Sequence, residues 1–216
     1  MTDTFATEDE EQSDNEYHKL IMAQTKTPIT AEDDEQFTPA EIKDAINGMN
    51  KNKAPGADGI TSGILQRAFN LLPNSTAAMC SGCLRTACFR RMWKRAKVIP
   101  IVKPGKETSD DISKYRPISL SNTAAKVLEK VLVNRIMHHI YSNNLMSKSQ
   151  YGFTPQTSTL DAVMALKEFV QESINGGQYV VVISLDVKGA FDAAWWPGIL
   201  ASLRNLRCPG NLPNSA

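Results

Sequence analysis

The feature that most restricts the fold of this chain is the apolar run YVVVISL at residues 179–185, which is followed directly by Asp186. A run of strand-forming residues with almost no polar alternation predicts a strand that is covered on both faces. Strand ends are common ligand sites in proteins with sheets, and a carboxylate there is a hard oxygen ligand suited to Mg²⁺. The alternative for Asp186 is a structural cap or salt-bridge partner, because many strands end in aspartate for turn reasons.

Charge is distributed unevenly along the 216 residues, although the whole chain carries a net charge of only +1. Residues 1–50 contain three basic and thirteen acidic residues, a net charge of −10, and the remainder carries +11. A basic body predicts a polyanionic partner, with an ordinary solvated surface as the alternative. The candidate nucleic-acid contacts lie in the loop NKNKAPGADGI and in the segment RAK, and they are Lys51, Lys53, Arg95 and Lys97.

The sequence argues against membrane-spanning, secreted and zinc-binding proteins. It contains no run of about 18 apolar residues, so no membrane span is predicted. The acidic N-terminus lacks the apolar core of a signal peptide. Cys80 and Cys83 form a single C-x-x-C pair with no second pair to complete a zinc site. We therefore expect both cysteines to be small buried residues of a helix.

Helix signals dominate the chain, and a few strand signals interrupt them. Residues 1–36 are acidic and aperiodic, which predicts disorder with at most a transient helix near residues 17–24. Thr38 with Glu41, and Ser158 with Asp161, have the spacing of capping boxes that begin helices. Other helices are predicted near 61–72, 74–89 and 122–143 and from about 193–196 onward, and strand patterns occur in RAKVIPIVKPGK and YRPIS.

Two cations near these strand patterns form a second candidate site. Pro117 biases Arg116 towards extended backbone, and Lys103 follows the apolar part of VIPIVKPGK. If the two segments form a hairpin, both cations can converge on one anion, because arginine binds phosphate through two parallel bonds and lysine adds a point charge. The alternative is two exposed basic residues in a loop.

Five segments carry a resemblance to a known family. In order, they are NKAPGADGI, WKRAKVIPIVKPGK, KYRPISLSNTAAKVLEKVLVNRI, QYGFTPQTSTLDAV and SLDVKGAFDAAWW. Together they resemble the reverse transcriptases of non-LTR (LINE-type) retrotransposons over residues 37–216, and the form DVKGAFDAAWWPGIL is most similar to the site-specific clades. The resemblance implies an α+β fold that is an incomplete right-hand polymerase. Its implied parts are an acidic disordered leader at 1–36, a helix-rich fingers region at 37–178, and the first strand and helix of the palm at 179–216.

The resemblance also implies roles for individual residues. Asp186 matches the first catalytic, metal-binding carboxylate of the palm, and the Val187 carbonyl lies beside it as a second metal ligand. Lys103 and Arg116 match the residues that hold the incoming triphosphate, and Phe191 matches the aromatic that excludes a ribose 2′-OH. The implied cofactor is Mg²⁺, as two ions in the full-length enzyme. The implied partners are an RNA template, a DNA primer, dNTPs and the downstream palm and thumb, and the implied location is the nucleus.

The family's second catalytic aspartate motif and its thumb have no counterpart within residues 1–216. We therefore expect the chain by itself to be inactive, as a truncated gene copy or an incomplete sequence would be. The alternative function is a non-catalytic, fingers-type RNA-binding module or a pseudogene fragment. A phosphotransfer domain that uses Asp186 is a weaker alternative, because the sequence lacks the alternating strand and helix order of a parallel sheet.

Overall fold

The computed structural model describes residues 15–26, 34–105, 114–187, 190 and 194–211. Within these ranges helices dominate and one small antiparallel sheet is present, which fits the predicted α+β class. No helix within them has both the length and the apolar character that crossing a lipid bilayer requires. In chain order the elements are α1 (Glu16–Lys26), α2 (Pro39–Asn47), α3 (Ser62–Leu71), α4 (Pro73–Thr86), β1 (Lys97–Val102), β2 (Tyr115–Leu120), α5 (Thr123–Ser142), α6 (Thr159–Asn175) and α7 (Trp196–Asn205).

The chain divides into two compact units, residues 1–139 with 195–216, and residues 140–194. The first unit holds the hydrophobic core, in which α2, α3 and α4 contact one another and α5 contributes one apolar face. Burial of this face confirms the helical periodicity predicted from the sequence, since the buried positions recur at the spacing of an amphipathic helix. The large apolar residues that α5 buries are Val127, Leu128, Val131 and Leu132.

Helix α2 begins where the capping-box signal predicts. The Thr38 hydroxyl accepts a hydrogen bond from the Glu41 backbone N–H at 3.3 Å, and the Glu41 carboxylate accepts one from the Thr38 N–H at 2.8 Å. These two bonds satisfy donors that a helix start otherwise leaves without partners. The preceding residue, Phe37, is buried and donates its backbone N–H to the Ser81 hydroxyl at 2.9 Å. The start of α2 is therefore fixed against α4.

Cys80 and Cys83 are buried in α4, as predicted. Burial disfavours a thiolate, and it raises the pKa of Cys80 to about 12 and also raises the pKa of Cys83. The two thiols are therefore protonated at neutral pH and behave as small apolar groups.

The stable helix α1 differs from what the sequence predicted for residues 1–36. The sequence predicted at most a transient helix there, whereas Glu16–Lys26 is helical and contacts α7. Ile21 is buried, and the Arg204 guanidinium donates hydrogen bonds to the carbonyls of Gln24 and Thr25. These partners come from a distant part of the chain, so a local pattern could not reveal them. The proposed domain boundary at residue 36 stays a prediction.

The second unit contains α6 and the segment that precedes Asp186. Helix α6 begins with the predicted capping box, in which the Ser158 N–H donates to the Asp161 carboxylate at 2.7 Å, and it ends before Gly176 and Gly177. Gly177 has a φ of 74°, a left-handed conformation that glycine adopts without strain.

The strand predicted at residues 179–185 is not formed. Its apolar side chains are mostly exposed, with 83% of Val181 and 90% of Leu185 accessible to solvent. A strand is stable only when its backbone groups pair with a neighbour, and the described residues provide none for this segment. The prediction of a strand covered on both faces is therefore wrong for the described structure, because composition favours a strand but does not provide a pairing partner.

Arg135 joins α5 to the segment that leads into α2. Its guanidinium forms salt bridges with Glu41 at 2.7 Å and Asp34 at 3.0 Å, and it donates to the carbonyls of Glu35 and Gln36. It also lies over the Phe37 ring, 4.7 Å from the ring centroid. The hydrogen bond from Arg135 is the main reason that the pKa of Glu41 falls from 4.5 to about 2.

We predict that this ion pair makes stability sensitive to acid. Because the pKa of Glu41 is lower in the folded state, its contribution is fully present above about pH 4.5 and is lost as the pH falls towards 2. The effect should be on the order of 1 kcal/mol, since the partly exposed pair is screened by solvent. Denaturant unfolding at pH 7 and pH 3 should show a Glu41→Gln defect at pH 7 that shrinks at pH 3.

Asp44→Asn provides the control for this experiment, because Asp44 is an exposed carboxylate on the same helix and forms no salt bridge among the described residues. Its effect on the free energy of unfolding should be small, because the substitution breaks no described salt bridge. An equal Glu41→Gln defect at both pH values would contradict the proposed linkage.

Candidate nucleotide and nucleic-acid site

Strands β1 and β2 form the antiparallel hairpin that the sequence suggested. In its register Ile101 lies opposite Arg116 and Val102 lies opposite Tyr115. The Lys103 backbone N–H donates to the Lys114 carbonyl at 2.8 Å, so pairing continues one residue beyond β1. The hairpin is therefore confirmed, and with it the condition on which the convergence of Lys103 and Arg116 depends.

Two prolines lie directly opposite each other in this hairpin, Pro100 and Pro117. Proline has no N–H, so it is tolerated only where the ladder does not need one. Hydrogen-bonded and non-hydrogen-bonded pairs alternate along an antiparallel ladder. Because the pair of Lys103 and Lys114 is hydrogen-bonded, the proline pair falls in a non-hydrogen-bonded position. The two prolines therefore fit this register, and neither of them removes a hydrogen bond from the ladder.

The register places Lys103 and Arg116 on the same face of the hairpin. Ile101 and Lys103 are two residues apart and share a face, and Arg116 lies directly across from Ile101. Diagonal neighbours of this kind are about 7–8 Å apart, within reach of long side chains. Arg116 is exposed and Lys103 is half-buried. An anionic group larger than a single carboxylate, such as a polyphosphate, could contact both.

Asp186 and Val187 lie in the second unit and are exposed. Among the described residues, no three His, Cys, Asp or Glu side chains are grouped so that they could hold a metal ion. The Asp186 carboxylate and the Val187 carbonyl are nonetheless the oxygen donors that Mg²⁺ prefers, and this ion usually completes its shell with water and substrate phosphates. Phe191 lies outside the described residues.

The four candidate nucleic-acid contacts, all in the first unit, do not line one common cavity. Lys53 lines a cavity next to α2 and α5, and Arg95 lines a second cavity. Lys51 and Lys97 are exposed and line neither of these two cavities. The sequence did not indicate that helix α5 would add basic residues to the first cavity, because only the tertiary fold brings α5 next to the loop that contains Lys53.

Asn122 joins the loop NKNKAPGADGI to the start of α5. It is buried, and its side-chain amide donates to the Met92 carbonyl at 3.3 Å. Gly56 approaches it so closely that a Cβ atom there would lie 2.6 Å from Asn122 Oδ1 and 2.8 Å from the Asn122 backbone. The Thr123 hydroxyl donates to the Ile60 carbonyl. Gly56 is therefore needed for close packing, whereas the sequence suggested only a turn.

We predict that Gly56→Ala destabilises the protein by about 1–3 kcal/mol, the usual range for overpacking, because the contact is with backbone that cannot rotate away. Urea unfolding measures the change. Gly82→Ala is the control, since a Cβ there would meet nothing within 4 Å and alanine is the better helix former by up to about 1 kcal/mol. Wild-type stability of Gly56→Ala would show that the loop shifts freely.

More than half of the chain matches a known protein family. Residues 101–215 match the family model described as "Reverse transcriptase (RNA-dependent DNA polymerase)". The matched range contains Lys103, Arg116, Asp186 and Val187, and it covers more than half of the chain. It also contains the whole of β2, α5, α6 and α7.

Curated relatives extend the similarity upstream of this range. The chain is 30% identical to "RNA-directed DNA polymerase from mobile element jockey" of Drosophila funebris, over 90% of the chain and 21% of the relative. The protein of that name from Drosophila melanogaster is 32% identical, over 86% and 20%. "Retrovirus-related Pol polyprotein from type-1 retrotransposable element R1" of Bradysia coprophila is 29% identical, over 76% and 16%. The chain spans about a fifth of the length of the curated relatives it matches.

Proposed function

The chain belongs to the reverse transcriptase (RNA-dependent DNA polymerase) family, and from that premise we propose that it forms the fingers and the first palm segment of a retrotransposon polymerase. The polymerase is of the non-LTR type and of a site-specific clade, and it works in the nucleus. It adds dNTPs to a DNA primer on an RNA template, together with the further palm and thumb of a right-hand fold. The observation that most directly supports this proposal is the β1–β2 hairpin, which places Lys103 and Arg116 on one face.

Lys103 and Arg116 bind the triphosphate of the incoming nucleotide in this proposal. The planar guanidinium of Arg116 can donate two parallel hydrogen bonds to one phosphate, while the Lys103 ammonium adds a mobile point charge. Both residues are held by a backbone ladder that contains two opposed prolines, so their spacing is set before the nucleotide arrives. Prepositioned cations favour binding because less freedom is lost when the phosphates dock.

Asp186 and Val187 provide oxygen ligands for the catalytic metal in the same proposal. These two oxygens would hold Mg²⁺, whose charge would stabilise an in-line attack on a phosphate. Asp186 would hold the metal ion at the end of the 179–185 segment, which would become a strand if a partner paired with it. The resemblance assigns to Phe191, which is outside the described residues, the exclusion of a ribose 2′-OH.

We predict that the chain binds a fluorescent deoxynucleoside triphosphate through the hairpin. Lys103→Ala and Arg116→Ala should each weaken binding about tenfold or more, since a hydrogen bond to a charged group contributes about 1.5–3 kcal/mol. Fluorescence anisotropy measures the dissociation constants. Lys94→Ala removes an equal charge from an exposed position outside the hairpin and should leave binding nearly unchanged. Equal losses in all three variants would show only a general charge effect.

We predict no templated primer extension by the 216-residue chain alone. Within these residues the resemblance provides one metal-binding aspartate motif, and a two-metal displacement needs further carboxylates. A chimera that adds the downstream region of a jockey-type relative should extend a primer on RNA with dNTPs, and Asp186→Ala should abolish that activity. Extension by the unmodified chain that is lost on Asp186→Ala would overturn this prediction.

A fingers-type RNA-binding module without chemistry is the second candidate function. The two basic cavities next to the loop NKNKAPGADGI favour it. The triphosphate experiment separates the candidates, because an RNA-binding module has no reason to bind a nucleotide through Lys103 and Arg116. Retained RNA binding with no triphosphate binding would support the module.

A further inference from the structure

Helix α4 ends in a turn that reverses the chain sharply. The Ala87 N–H donates to the Leu84 carbonyl at 3.2 Å. The Cys88 N–H donates to the Cys83 carbonyl at 3.1 Å. Ala87 between them has a φ of 47°, in the left-handed region. These two bonds and the left-handed residue define a Schellman motif, in which the chain folds back against the last turn of the helix.

This motif brings two thiols together. In a Schellman motif, the residue that donates the outer hydrogen bond commonly packs against the residue that accepts it. Here those residues are Cys88 and Cys83, and both are free cysteines. Their proximity also shows in the electrostatics of the pair, because burial raises the pKa of Cys83 and the nearby Cys88 thiol adds to that effect. The sequence pattern pointed to Cys80 and Cys83, whereas the turn pairs Cys83 with Cys88.

The two thiols differ in their access to solvent. Cys88 is exposed, whereas Cys83 is only 7% exposed and belongs to the hydrophobic core. Oxidation of a thiol depends on its exposure, so a dissolved oxidant meets Cys88 before Cys83. An exposed thiol beside a second, resolving thiol is an arrangement that redox-sensing cysteines often have.

Arg90 assists the buried member of the pair. Its positive charge and its hydrogen bond to Cys83 both lower the pKa of that thiol, against the larger effect of burial. A guanidinium there favours the Cys83 thiolate, which is the form that attacks an oxidised sulfur. For Cys80, by contrast, burial and the neighbouring Cys83 both act upwards and raise the pKa to about 12. Cys83 is therefore the better nucleophile of the two buried thiols in α4.

We propose that Cys83 and Cys88 form a reversible disulfide when the chain meets a two-electron oxidant such as hydrogen peroxide. The Cys88 sulfur attacks one peroxide oxygen, the O–O bond breaks, and Cys88 becomes a sulfenic acid with release of one water. The Cys83 sulfur then attacks the Cys88 sulfur, and the S–O bond breaks. The departing hydroxide takes up the Cys83 proton as a second water. Two thiols are thereby oxidised, and one peroxide is reduced to two waters.

The disulfide would hold the chain reversal at the end of α4 closed. The next residue, Phe89, packs against the core and meets the Trp93 ring edge to face, with 5.7 Å between the ring centroids. The cross-link would therefore fix the point at which the chain leaves α4 for this aromatic pair. The inference does not depend on the proposed polymerase function, because it involves none of the residues of the proposed nucleotide site.

The test locates the disulfide in the whole chain. The chain is oxidised with a small excess of hydrogen peroxide, its remaining thiols are blocked with N-ethylmaleimide, and it is digested with trypsin. Because trypsin cuts after arginine, Cys83 falls in the peptide of residues 68–85 and Cys88 in the peptide of residues 86–90. Mass spectrometry should show these two peptides joined, at their summed mass less two hydrogen atoms. Dithiothreitol should separate them by thiol–disulfide exchange.

Matched variants assign the bond to one pair of thiols, because peptide 68–85 also contains Cys80. Cys80→Ala should keep the joined peptides. Cys83→Ala should lose them and leave Cys88 as a sulfenic or sulfinic acid. Arg90→Gln should slow disulfide formation several-fold relative to Arg91→Gln, which removes an equal charge from the adjacent exposed position. Thermal unfolding of each variant before oxidation confirms that the fold is intact.

Three results would overturn the inference. The first is a disulfide between Cys80 and Cys83, within peptide 68–85. The second is joined peptides that survive Cys83→Ala, since Cys88 would then pair with another thiol. The third is oxidation of Cys88 to a sulfinic acid with no joined peptides, because the turn would then not bring the two thiols within bonding distance. Equal rates in the two arginine variants would contradict the part assigned to Arg90.

Discussion

In the first unit, the position of α2 against α5 depends on the salt bridges and hydrogen bonds of one half-buried guanidinium. Arg135 lies on α5, one turn beyond its apolar face, and its partners all come from residues 34–41. Each contact contributes modestly, because the carboxylates are partly exposed and screened by solvent, but together the contacts hold residues 34–41 against α5. Arg135 therefore fixes the start of α2 against α5. The end of α2 and the start of α5 also line the cavity that contains Lys53, Lys126 and Lys130.

The β1–β2 hairpin, where we propose the nucleotide site, has a different physical basis. No residue of β1 or β2 is buried, so the hairpin is not positioned by a hydrophobic face. Its geometry comes from the backbone ladder and from the opposed pair Pro100 and Pro117, which fits only one class of ladder position. The relative positions of Lys103 and Arg116 follow from that register.

The second unit has an apolar surface with few partners in the described structure. Helix α6 has no buried residue, and large apolar side chains on it are exposed, among them Leu160, Val163 and Phe169. The segment before Asp186 is exposed as well. Contiguous exposed apolar surface usually marks a site where other protein packs. Under the proposed function, this surface is where the further palm of the polymerase would pack, and pairing there would turn residues 179–185 into the strand that their composition predicts.

The sequence by itself determined the elements whose signals are local. The capping boxes at Thr38 and Ser158 and the helical periodicity of α5 follow from spacing that a few neighbouring residues set. The sequence left the β1–β2 hairpin as one of two alternatives, and the structure decided for it. Only the tertiary structure decided what depends on distant residues. It paired Arg135 with Glu41, docked α1 on α7, pressed Gly56 against Asn122 and brought Lys126 and Lys130 to Lys53. It also left the apolar run before Asp186 exposed, because a strand forms only where another segment supplies hydrogen bonds, and no property of the run itself supplies that partner.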